Sequence, residues 1–160
     1  MSNTTGLTWI FKAFDELTPK ELYSILWLRN EVFVVEQNCV FQDADYKDPK
    51  CDHLAGYIDD KIAAYSRIVP PGVSYEQPSI GRIVTNPAFR GTGAGKALLT
   101  KAIAVCENLY KGKPIRIGAQ LYLKKFYESF GFLQSSDMYL EDGIEHIEMI
   151  RETGPIVNGE

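Results

Sequence analysis

The chain has 160 residues, 45% of them hydrophobic, and a formal net charge of −4. That length supports one globular domain with a substantial core, and the acidic balance speaks against bulk nucleic-acid binding, which relies on a basic face. No apolar run approaches the roughly 18 to 20 residues of a membrane span, and the opening MSNTTGLTW lacks the basic flank and apolar core of a signal peptide.

Residues 1–6 and 153–160 read as flexible tails of a single domain covering 1–160. Thr8 to Phe14 reads as a first strand. In TPKELYSILWLRNEVFVVEQ, Thr18 and Glu21 form a capping box and Pro19 stands where a first helical residue tolerates proline. Leu22, Ile25, Leu26 and Arg29 then recur at helical spacing, so a helix runs from Pro19 into the early thirties. Residues 38–52 form an acidic loop. HLAGYI and KIAAYSRIV flank Asp59-Asp60, which suggests a hairpin. Ser79 to Thr85, SIGRIVT, is a short strand whose internal glycine marks a bulge or a close backbone approach. Leu98, Leu99, Ala102, Ile103, Val105, Cys106 and Leu109 make a wide apolar helical face that stops near Gly112 and Pro114. Ile115 to Ala119 is a strand, and LYLKKFYESF a brief helix stopped by Gly131. MYLEDGIEHIEMI reads as two strands around an Asp142-Gly143 turn. This order predicts an α+β (mixed α/β) domain around a central sheet.

Cys39, Cys51 and Cys106 are scattered and odd in number, which argues against a disulfide framework or a clustered zinc site. The expectation is a reduced, cytoplasmic protein with no metal, no membrane partner and no nucleic-acid partner. Cys106 lies inside an apolar helical face, an inert place for a thiol, and no Ser-His-Asp nucleophile motif is present.

The most informative stretch is NPAFRGTGAGKALL, Asn86 to Leu99. It is not a Walker loop, because Arg90 and Ala97 stand where Gly and Ser/Thr are needed, nor does it close a dinucleotide fingerprint. Three glycines still precede a helix, where successive backbone N–H groups and the helix dipole form an anion-binding concavity. Arg90 and Lys96 add positive charge to it.

IVTNPAFRGTGAGKALL resembles the acetyl-CoA signature of the GNAT N-acetyltransferases, with Arg90, Gly93 and Gly95 in its named positions. AQLYLKKFYESFGF resembles the family's later segment: Tyr127, Glu128, Gly131 and Phe132 match, while Gln120 stands where Asn is usual and Leu123 where Ala is usual. Together with RNEVFVVEQ and EDGIEHIEM these segments resemble the ElaA-like subgroup, over most of residues 8–151. The resemblance implies a mixed, splayed sheet flanked by helices, with acetyl-CoA as cosubstrate in the gap and an amine as acceptor. It implies that Ile83, Val84 and Thr85 meet the pantetheine and that Arg90, Gly91, Thr92, Gly93, Ala94, Gly95 and Lys96 cradle the diphosphate. It also places a general acid at Tyr127.

The expected chemistry is direct acyl transfer from thioester to amine in a ternary complex. A base has to unload the amine, whose ammonium has a pKa of roughly 10.4; His53, His146 and Glu36 are the candidates, with an ordered water as an alternative relay. A backbone N–H near Val84 suits the oxyanion. Gln120 belongs to the coenzyme-binding set, and Tyr122 and Phe126 either pack on the pantetheine or fill the core. Two other readings stand beside this one: a non-catalytic acyl-CoA binding or sensing domain, and another acyl-CoA transferase, since acyl-homoserine lactone synthases share the architecture. The acceptor is unspecified, and monomer and homodimer are both open.

Overall fold

The computed structural model describes residues 6–153, so the tails expected at 1–6 and 153–160 lie outside it but for one residue each. In chain order the elements are β1 (Thr8–Ala13), α1 (Pro19–Arg29), a π-helical turn (Asn30–Glu36), β2 (Asp52–Ile58), β3 (Lys61–Val69), β4 (Ser79–Thr85), α2 (Ala94–Leu109), β5 (Ile115–Gln120), α3 (Lys124–Glu128), β6 (Leu133–Gln134), β7 (Tyr139–Glu141) and β8 (Ile144–Arg151).

Local chemistry explains most of these boundaries. The Thr18 hydroxyl accepts from the Glu21 N–H at 3.1 Å while the Glu21 carboxylate accepts from the Thr18 N–H at 2.8 Å, closing the expected capping box. Beyond Arg29 the helix does not stop but widens into the π-helical turn that ends at Glu36. Asp59 and Asp60 both take positive φ, 50° and 65°, as do Asp142 and Gly143 at 53° and 78°. Two successive left-handed residues are what a type I′ hairpin turn requires, and Asp and Gly tolerate them.

The strands form two sheets, β1-β2-β3-β4 and β5-β8-β6, with β7 also paired to β8. Every ladder is antiparallel. The expected splay is therefore a complete break: β4 and β5 lie side by side but no ladder joins them. Strand β6 has only two residues and no alternating pattern, and the sequence reading does not anticipate it.

Both faces of the first sheet are covered. Ile25, Leu28 and Val32 pack on Ala55, Ile62, Tyr65 and Val84. The face of α2, Leu98, Leu99, Ala102, Ile103 and Cys106, packs on Leu54, Ala64, Ile68 and Ile80 and on Ile115, Ile117 and Ala119 of β5. Leu54 and Ala55, or Ala64 and Tyr65, go to opposite cores because successive strand residues point to opposite faces.

Between α1 and the sheet lies a buried charge network. Arg29 donates to Asp43 at 2.7 Å and to Asp48 at 2.8 Å; Arg67 donates to Asp45 at 2.6 Å and to Asp48 at 2.9 Å; Arg82 donates to Asp43 at 2.9 Å. Three arginines from α1, β3 and β4 thus pin the acidic loop, which is not free. His53 belongs to this network and not to the cleft. Its Nε2 donates to the Asp48 carbonyl at 3.0 Å and its Nδ1 accepts from the Tyr65 hydroxyl at 2.7 Å, and burial lowers its pKa. The structure thereby removes His53 from the candidate bases.

Removing one partner from a buried pair strands the others, so Asp48→Ala is expected to cost roughly 3–5 kcal/mol in urea unfolding. Burial raises the Asp45 and Asp48 carboxyls, but the arginines outweigh it and hold both below the usual range. A group whose pKa is depressed by folding stabilises above its unfolded value, about 3.9, and loses that contribution as pH falls through the folded value. Stability is expected to drop on acidification below about pH 4, less steeply in Asp45→Asn, as read by denaturation at stepped pH.

Candidate active site

The site begins with a slip in register. Tyr65 pairs with Val84 and Arg67 with Gly81, so Ser66 alone faces Arg82 and Ile83. This is a bulge, and it sits on Arg82, whose φ is +51°, one residue beyond the glycine that the sequence marked. Because β4 is the outermost strand of its sheet, its far edge has no ladder partner among the described residues. A cleft of about 580 Å³ opens along that edge. Its walls are Ile80 to Thr85 on β4, the π-helical turn with the loop after it, the end of β5 with Tyr122 to Tyr127, and the β7–β8 turn.

Ile83, Val84 and Thr85 all line the cleft, as do Gln120, Tyr122, Phe126, Tyr127, His146 and Glu36. From the glycine loop, Arg90 and Gly95 line it, while Gly91, Thr92, Gly93, Ala94 and Lys96 are not among its lining residues. The loop is held by its own side chains. Asn86 accepts from the Ala88 N–H at 3.0 Å and donates to the Ile62 carbonyl at 2.8 Å, and the Thr92 hydroxyl donates to the Phe89 carbonyl at 2.6 Å. Gly91 and Gly93 take φ of 82° and 87°, the left-handed region where a side chain is strained. Gly93 caps α2, whose first intrahelical bond runs from the Ala97 N–H to the Gly93 carbonyl. The N–H groups of Ala94, Gly95 and Lys96 therefore have no helical acceptor, and the positive end of the dipole lies beside them.

Deeper in, Tyr127 is 5% exposed and packs edge-on to Phe126 at 5.4 Å. Burial pushes its pKa up, so its phenol stays protonated. Tyr122 is exposed at the mouth, and Gln120 bonds to Gln37 at 3.3 Å across the cleft. His146 is 9% exposed and stacks on Tyr139. Its Nδ1 lies 2.8 Å from the Ile144 carbonyl. A carbonyl only accepts, so Nδ1 donates, and Nε2 has no partner among the described residues. Glu36 is otherwise engaged: Arg90 binds it through both prongs at 2.6 and 2.7 Å, and that pairing holds its carboxyl below the usual range. Of the three candidate bases, only His146 has an unengaged ring nitrogen on the cleft wall.

All three cysteines are free. Burial pushes the thiols of Cys51 and Cys106 up to about 11 and about 12, which leaves them inert. Among the described residues no group of three or more His, Cys, Asp or Glu is placed to hold a metal ion, and no helix is long and apolar enough to cross a membrane. The cleft also contains residues not anticipated from sequence: Phe33, Arg82 and Gly118. A Cβ on Gly118 would stand 3.1 Å from the hydroxyls of both Tyr75 and Tyr139. The glycine inside IRIGAQ was the available signal for that close approach.

The family model described as "Acetyltransferase (GNAT) domain" matches residues 30–153. Escherichia coli Protein ElaA is 41% identical over 148 residues, covering 91% of this chain and 97% of that protein, and its crystal structure gives a TM-score of 0.86. The crystal structure of an acyl-CoA N-acyltransferase from Pseudomonas aeruginosa is 41% identical, with a TM-score of 0.87 over 91% of this chain and 99% of that one. A GNAT family acetyltransferase from Elizabethkingia anophelis, with acetyl-CoA bound, shares the fold at 16% identity and a TM-score of 0.63, covering 93% of this chain and 99% of that one.

Gly93→Ala forces a side chain into the left-handed region. It is expected to destabilise by roughly 1–2 kcal/mol in thermal or urea unfolding, whereas Ala97→Gly, inside the same helix, is expected to cost about 1 kcal/mol for the different reason of backbone entropy.

Proposed function

The chain belongs to the GNAT acetyltransferase family, within it to the ElaA-like group, and from that premise we propose that it transfers an acetyl group from acetyl-CoA directly to a primary amine of a small molecule or protein in a ternary complex. The observation that carries this reading is the unladdered edge of β4, turned by its bulge onto a cleft that has the glycine loop at one end and both Tyr127 and His146 on its walls. Residues 1–160 are read as one acetyltransferase domain, and three free thiols accord with a reducing, cytoplasmic setting.

The edge groups of Ile83, Val84 and Thr85 suit the amides of pantetheine, which adds to β4 as a further strand would. The unpaired N–H groups of the Arg90–Lys96 loop suit a diphosphate, with Arg90 and Lys96 supplying charge. Tyr122, Phe126 and Gln120 flank the same path. The amine arrives as an ammonium, and Nε2 of His146 takes its proton. The nitrogen lone pair then attacks the thioester carbonyl carbon, and a backbone N–H near Val84 stabilises the oxyanion. Collapse breaks the C–S bond, Tyr127 donates its proton to the departing sulfur, and the nitrogen, cationic since its attack, gives its second proton back to the phenolate, leaving a neutral amide, the free thiol and Tyr127 in its starting form. Burial weakens Tyr127 as an acid, but the same low dielectric also disfavours a bare thiolate, so the two remain matched.

Acetyl-CoA is expected to raise the melting temperature in a concentration-dependent way, by the equivalent of about 2.7 kcal/mol at a hundredfold excess over Kd. The deciding assay is thiol release from acetyl-CoA with n-butylamine, 1,4-diaminobutane, lysine and a lysine-containing peptide. Binding without release would favour the sensing domain over the enzyme. Tyr127→Phe is expected to lower kcat by about 100-fold or more while leaving the Kd for acetyl-CoA nearly unchanged. His146→Gln is expected to lower kcat/KM for the amine by about 100-fold while leaving the Kd for acetyl-CoA nearly unchanged, as read by thiol release and calorimetry.

A further inference from the structure

One ion pair on the cleft wall differs from the buried network. Arg90 and Glu36 meet through two hydrogen bonds, at 2.6 and 2.7 Å, yet their side chains are 46% and 41% exposed. The pair joins two separate walls, since Glu36 ends the π-helical turn and Arg90 leads the glycine loop. Exposure makes it a weak clasp: such pairs shift an equilibrium by only about 1.4- to 5-fold. A diphosphate offers Arg90 two negative charges instead of one and brings the loop amides with it, so it outcompetes the carboxylate.

We propose that Arg90 is shared between two anions, Glu36 in the free protein and the coenzyme's diphosphate in the complex, so that coenzyme binding releases the Glu36 carboxylate to receive the ammonium of the acceptor. This inference rests on the acyltransferase reading above. Glu141 and Asp142 line the same cleft and have no ion pair among the described residues. Once Arg90 turns to the diphosphate, Glu36 joins them, and this wall becomes more negative as the thioester arrives. The acceptor class that suits such a wall is a cationic amine, above all one with a second positive charge. Coenzyme entry before amine follows from the same exchange, because until then Glu36 is occupied.

The test compares wild type, Glu36→Gln and Glu36→Asp. Calorimetry measures the Kd for CoA at low salt, and thiol release measures kcat/KM for the fastest of the four amines named above. Glu36→Gln frees Arg90 and removes the amine's partner, so CoA is expected to bind about 2- to 5-fold tighter while kcat/KM for the amine falls roughly tenfold. Glu36→Asp, which keeps the charge, is expected to recover part of the amine kcat/KM. Opposite movement of the two constants is the signature, since a merely structural role would weaken both. CoA binding to Glu36→Gln that is unchanged or weaker than wild type, or an unaltered amine kcat/KM, overturns the exchange while leaving the acyltransferase reading intact. A wild-type chain that takes up no CoA overturns that reading and the exchange together.

Discussion

The slip of one residue between β3 and β4 is the constraint from which the site follows. Were the ladder continuous through Arg82 and Ile83, β4 would stay flat, and its outer edge would be free to zip to β5 and close the gap. The bulge turns that edge, and the broken sheet leaves its backbone groups available. A non-glycine residue at positive φ costs on the order of 1–2 kcal/mol, and the side chain at that position helps to offset it. Arg82 donates to Asp43 and lies over the ring of Phe33 at 5.7 Å, a cation–π contact. Glycine would adopt the angle more easily but would lose both anchors.

The buried arginines extend that anchoring. Asp43 accepts from both Arg29 and Arg82, so one carboxylate connects α1 to the bulge. Asp48 and Asp45 connect the same loop to Arg67 on β3. Burying so many charges is expensive in desolvation, and an apolar filling would serve packing as well. What the network adds is position: it fixes the loop that forms the wall opposite β4, so the cleft has rigid sides before any ligand enters. The contrast with Arg90–Glu36 is instructive. There too an arginine meets a carboxylate, but in solvent, where the contact is weak enough to exchange.

Features with local causes were legible in the sequence. The Thr18–Glu21 box, the Asp142-Gly143 turn, the apolar face of α2 and the glycine loop each depend on residues within a few positions of one another. What was not legible depends on partners far apart in the chain. His53 and His146 are the same residue in similar strand contexts, and only Tyr65 and Asp48 on one side, and Ile144 on the other, tell a buried structural imidazole from one with a free nitrogen. The division into two sheets, the two-residue β6 and the π-helical turn leave no periodic trace. The arginines did leave a signal. Arg29 falls on the apolar stripe of its helix and Arg67 within a run of buried β3 residues, and a charge in such places demands carboxylates, which the acidic loop supplies.

Strand β8 pairs with β5, β6 and β7, although it follows all three in the chain. During synthesis the first sheet, complete at Thr85, has every ladder it needs before α2 emerges. The second sheet has none until its last strand leaves the ribosome. The nascent chain therefore carries β5 without a hydrogen-bonded strand partner until β8 follows it, about thirty residues later, which makes this half the more exposed to chaperones.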